Sequence, residues 1–342
     1  MFKTFAFTLA LLFAIAVAGP MDCRIASTAE AAKTPAPAPA AQPAPAPAPA
    51  AAAAPAAGAP AAPAQPAPNQ PQTISAEDFF AWQLVSAEKG NRQSYMTIAT
   101  LYEQGVGAPK DFTKALNWYE KAGQAGIPEG YLKAGDFYIV GMGAATDVSK
   151  AAECFAKAAE KGLAQAQYQL AVLCLSGRGV DQDTAKGIDL LKKAANGKNA
   201  FAANDLGIIY LNGTLDQKKD VKAAVGWFEK GADTGYLMSI MNLANIKRDG
   251  LDGKADPDTA LKWYLIAQKG GMKAQELDQS IQTVTQKIGP DKAKAADAAA
   301  QKWLDDKKAE AEKAQQAQQQ PAQQQGAQQQ AAQQKEKEKP RK

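Results

Sequence analysis

The chain has 342 residues with 39 basic and 35 acidic side chains, and the net charge of only +4 is spread along it rather than gathered into a basic domain, which argues against nucleic acid as a partner. There is no histidine, which removes the commonest general base, the Ser-His and Cys-His nucleophile pairs and most zinc and haem sites, so no enzyme, cofactor or metal is expected. Three cysteines, Cys23, Cys154 and Cys174, form no Cys-x-x-Cys pair and are too few to staple a small fold, so the fold has to stand on apolar packing.

The first element reads as an export signal. Lys3 is followed by an apolar run from Phe5 to Ala18, with the small-residue site Ala16-Val17-Ala18 before Gly19. The run is shorter than the ~20 residues of a spanning helix. Removal after residue 18, removal as late as residue 31, and retention as an anchor remain the alternatives; retention would bring the only membrane contact. Asp22 speaks against lipidation of Cys23. The expected location is periplasmic or secreted. Residues 34–71 are almost entirely Ala and Pro, with no side chains able to form a core. They read as a semi-rigid tether, reaching on the order of 100 Å at ~3.1 Å per residue.

From residue 75 the pattern turns helical. Phe79, Phe80 and Trp82 lie on a helix expected over 75–90, which caps the start of an array. The array itself repeats: Gly105, Gly141, Gly177, Gly213 and Gly250 step by 36, 36, 36 and 37 residues, and Asp111, Asp147, Asp183, Asp220 and Asp256 by 36, 36, 37 and 36. The glycines read as left-handed stops of a first helix, and each aspartate as the N-cap of a second. Small residues follow in both helices (Gly135 and Gly207 in the first, for example), allowing close approach. The bulky Trp118, Cys154, Leu190, Trp227 and Trp263 are expected on the inner face of the second helix. Two helices without turn glycines, over 272–304 and broken at Gly289-Pro290, should close the stack. The Gln-rich residues 305–342 have no apolar face and are expected to be disordered.

The consensus, Leu206-Gly207 with Tyr210, Gly105-Val106-Gly107, Asp111, Lys114-Ala115, Trp118-Tyr119, Lys121-Ala122 and Gly126, resembles the Sel-one-like repeat, a relative of the tetratricopeptide repeat. Five units cover 91–271. They depart from the pattern at Cys174, at Leu190-Leu191 and at Lys247. The resemblance implies an all-α, right-handed α/α superhelical solenoid and a scaffold or regulatory adaptor of the envelope, monomeric, that binds a protein or peptide. It also implies that the first helices line a concave wall. The positions it leaves exposed there are Leu132, Ile139, Tyr168, Val172, Leu175, Asn204, Ile208, Leu211 and Met241. The alternatives are that this strip binds the partner or that superhelical twist buries it between helices. A rival function is an accessory of the cell wall that binds polysaccharide.

Three further patterns have simpler explanations. Cys154 and Cys174 sit on consecutive helices, as a disulfide or as two buried thiols. Ser86-Ala87-Glu88-Lys89 fits a penicillin-recognising motif whose companion motifs are missing. Asp249, Asp252, Asp256 and Asp258 miss the spacing of a calcium loop.

Overall fold

The computed structural model describes residues 74–337; the export segment and the Ala/Pro tether lie outside them. Among the described residues there are thirteen helices and no strand. A lone helix, α1 (Ala76–Glu88), precedes five pairs: α2 (Gln93–Gln104) with α3 (Phe112–Gln124), α4 (Pro128–Val140) with α5 (Val148–Glu160), α6 (Ala164–Ser176) with α7 (Thr184–Asn196), α8 (Ala200–Asn212) with α9 (Val221–Asp233), and α10 (Leu237–Asp249) with α11 (Pro257–Lys269). Two closing helices follow, α12 (Gln275–Ile288) and α13 (Pro290–Lys337). From α1 to α13 each helix packs on the next in sequence. This is an all-α repeat fold.

One residue per unit fixes the hairpin from both sides. The carboxylate of Asp111 accepts the amide N–H of Lys114 at 2.9 Å. Asp147, Asp183, Asp220 and Asp256 do the same for Lys150, Lys186, Ala223 and Thr259 at 2.9–3.0 Å. The backbone N–H of each aspartate meanwhile donates to the first helix, at the carbonyls of Tyr102, Tyr138, Cys174, Tyr210 and Lys247. Cys174 and Lys247 therefore leave the hairpin intact, because the bond uses the main chain. Hydrogen bonding to the amide lowers the Asp111, Asp147 and Asp256 pKa values.

The five spaced glycines each end a first helix in the left-handed region, at φ 66–81°. The second glycine of each Gly-x-Gly turn spaces the repeats. A Cβ at Gly107, Gly143 or Gly179 would strike the backbone at Ala76, Phe112 or Val148, the start of the preceding second helix.

The inner face of the second helices is set one residue later than the sequence suggests. Tyr119, Phe155, Leu191, Phe228 and Tyr264 are the completely buried series. Cys154 and Leu190, next to them, are also buried, but Trp118, Trp227 and Trp263 are half-buried. Lysines stand over these three indoles, at 4.1 Å for Lys121, 4.4 Å for Lys230 and 4.9 Å for Lys262. A large ring with one wet face can stay at the edge, while the adjacent position points at the first helix. There Phe155 lies where a Cβ on Gly135 would stand, and Phe228 does the same at Gly207.

At the far end Leu277, Val284, Ala296 and Ala300 are buried, and Trp303 packs on Trp263 at 5.8 Å. Helix α13 continues from Pro290 into the Gln-rich residues, to Lys337. Ala, Gln, Glu and Lys are good helix formers, so the helix propagates beyond its last buried turn.

Candidate partner-binding site

The first helices, α2, α4, α6, α8 and α10, form one wall of the stack. The second helices reach it from behind. The Tyr264 hydroxyl donates to Asn245 Oδ1 at 2.6 Å, and the Tyr119 hydroxyl lies 3.4 Å from Thr100 Oγ1. Thr100, Asp136, Val172, Ile208 and Asn245 occupy the same place in successive repeats.

The nine expected wall residues divide into four groups. Asn204 is buried, and its Oδ1 accepts from Asn242 Nδ2 at 3.1 Å and from Ser239 Oγ at 3.4 Å; its side chain is committed to the junction of repeats four and five. Leu132, Ile139, Tyr168 and Leu175 are half-buried against the core of the first four repeats. Ile208, Leu211 and Met241 are half-buried against the core at the other end. Val172 is half-buried and belongs to neither packing set.

Sequence reasoning missed the most accessible part of the wall. Phe201 and Met238, equivalent residues one repeat apart, are 39% and 48% exposed at the openings of α8 and α10. Phe201 contacts Tyr168 at 5.9 Å between centroids and Tyr236 at 5.1 Å. The Tyr168 hydroxyl donates to Asp205 Oδ2 at 3.2 Å. Burial raises the Asp205 carboxyl to about 6, with the hydrogen bond from Tyr168 pulling the other way. Asp136, in Val172's place one repeat earlier, is also raised to about 6 by burial, with Lys133 opposing and Glu103 adding to the rise. The repeat of Phe201 at Met238 was the available signal. Tyr236 stands just before its helix, where periodicity gives none.

The remaining motifs are structural. Cys154 and Cys174 are buried free thiols; burial pushes Cys154 up to about 11 and Cys174 upward. Ser86 accepts a hydrogen bond from Asn91 at 3.0 Å as α1 ends. Asp249 pairs with Arg248, Asp252 with Lys247 and Asp258 with Lys292, while Asp256 caps α11. Among the described residues no cluster of acidic or cysteine side chains is arranged to hold a metal, and no helix is long and apolar enough to cross a membrane.

A wall of tandem helix pairs is the architecture of a repeat scaffold. The model of the Sel1 repeat matches residues 98–127, 128–163, 164–199, 200–236 and 237–271, just over half of the chain, and the chain belongs to this family. Its repeats generally mediate protein–protein contact and are typically non-enzymatic. Among solved structures, the chain is similar to a Sel1 repeat protein from Oxalobacter formigenes, at 26% identity and a TM-score of 0.55, covering 68% of this chain and 93% of that one. It also matches a protective antigen of uropathogenic Escherichia coli strains that displays an SLR fold, at 24% identity and a TM-score of 0.54. That match covers 69% of this chain and 57% of the antigen's length, and it speaks to the fold alone. No curated protein matches.

Proposed function

We propose that the protein is a monomeric, extracytoplasmic adaptor whose wall of first helices binds a segment of another protein. The carrying observation is the combination of half-buried aliphatics with the exposed Phe201 and Met238 on one face, an apolar strip that a fully solvated wall would not carry. The export-like start and the Ala/Pro segment support a tethered module outside the cytoplasm. The test is crosslinked capture from envelope extracts. Val172→Asp with Phe201→Asp is chosen because Phe201 is exposed and the half-buried Val172 belongs to neither packing set, whereas Ile208 packs on the core. The pair is expected to abolish capture with melting temperature nearly unchanged. A charge reversal on the second helices, Lys193→Glu, is expected to leave capture intact; equal loss in both variants, or in neither, removes the wall from the reading. The mass of the N-terminus in the exported fraction checks removal after residue 18.

A second reading, a cell-wall accessory that binds polysaccharide, is favoured by the grouping of Tyr168, Phe201 and Tyr236. Binding of soluble glycan oligomers, lost on Phe201→Ala, would select it.

A further inference from the structure

We propose that Tyr168, Phe201, Asp205 and Tyr236 form a receptor for a cationic side chain, lysine or arginine, carried by the partner segment on the wall. The inference rests on the partner-binding reading and adds the chemistry of the partner. Three rings from two neighbouring repeats meet here, Phe201 tilted by 30° to Tyr168 and edge-on to Tyr236 at 63°. Beside them lies the Asp205 carboxylate, held by the Tyr168 hydroxyl. Ring faces attract a cation through their quadrupole, and a carboxylate at the same place supplies the opposite charge.

Two comparisons within the chain single this cluster out. Elsewhere nine lysines of the protein stand over aromatic faces, at 4.1–5.8 Å from the centroids. Among the described residues none of these involves Tyr168, Phe201 or Tyr236. The ion pairs of the described residues engage nine different carboxylates, and Asp205 is not one of them. The chain therefore gathers rings and a half-buried carboxylate on its exposed wall without giving them a cation of its own. The burial cost that raises the Asp205 carboxyl is relieved by a bound ammonium or guanidinium. A sugar platform wants one flat, open ring face; here the rings are inclined to one another and only Phe201 is well exposed.

The test is an NMR titration of the full chain with blocked lysine (N-acetyl-lysine methylamide), blocked arginine, the neutral N-acetyl-norleucine methylamide and an N-acetylglucosamine oligomer. The two cations are expected to move the amides of Phe201, Asp205 and Tyr236 saturably and about tenfold more tightly than norleucine. Asp205→Asn should erase that preference without lowering the melting temperature, and Phe201→Leu should weaken it. Equal binding of norleucine, or a preference that survives Asp205→Asn, overturns the receptor, as does movement of these amides by the sugar alone. If the preference is absent while partner capture still fails on Val172→Asp with Phe201→Asp, only the receptor falls. If capture survives that pair, the wall and the receptor both fall.

Discussion

Asp136 and Asp205 are carboxylates that the fold makes less acidic, so both oppose stability at neutral pH. An unfolded aspartate titrates near 3.9. With the folded value at about 6, the native state holds the extra proton between those two pH values, and stability falls as pH rises through that window and is level above it. Asp136→Asn is therefore expected to stabilise the protein by about 1 to 3 kcal/mol at pH 7.5, to change little below pH 4, and to remove part of the slope between. Thermal melts of the two proteins across that range check it; a variant less stable at pH 7.5 would show that the carboxylate is held by a favourable interaction. Sequence reading passed over Asp136 because it looked for apolar residues at that place in the repeat. A carboxylate is read from sequence as solvated, and only the packing around α4 shows that this one is not.

The hairpin elements were largely legible, because N-caps and left-handed glycines are local chemistry. One unit breaks its own rule. Gly126, Gly162, Gly235 and Gly271 stand after the second helices with φ of 82–98°, and Lys198 occupies the equivalent place with φ 66°. A side chain there crowds its own carbonyl, at a cost of roughly 1–2 kcal/mol. Lys198→Gly is expected to raise stability by about 1 kcal/mol, somewhat less than the strain because glycine also gains freedom in the unfolded chain. Denaturant unfolding measures it, with Gly162→Ala as the converse. The tryptophans show the limit of element-level reading. Trp118 and Tyr119 lie 100° apart on the helix, at the two edges of one broad apolar stripe, and the neighbouring helix decides which one goes in.

Across the whole array the helices pack in one continuous series, Phe228 of α9 against Gly207 of α8 included, so a protease meets its first open site in a turn. The turn between those helices is one residue longer than in the first three repeats, and holds Leu215 and Asp216 at φ 54° and 59°. The first internal cut in limited trypsin digestion is therefore expected at Lys218 or Lys219, with the stack from residue 75 to 304 otherwise protected. Early cutting between Gly141 and Asp183 would contradict one packed stack. The sequence by itself determined the class of fold, the five repeats, their caps and their helix ends, because each depends on bonds within a few residues or on a period the chain repeats. Tertiary structure decided which bulky residue enters the core and what gathers on the wall. Tyr168, Phe201, Asp205 and Tyr236 come from two neighbouring repeats and share no local pattern, and only the stacking of one hairpin on the next brings them together.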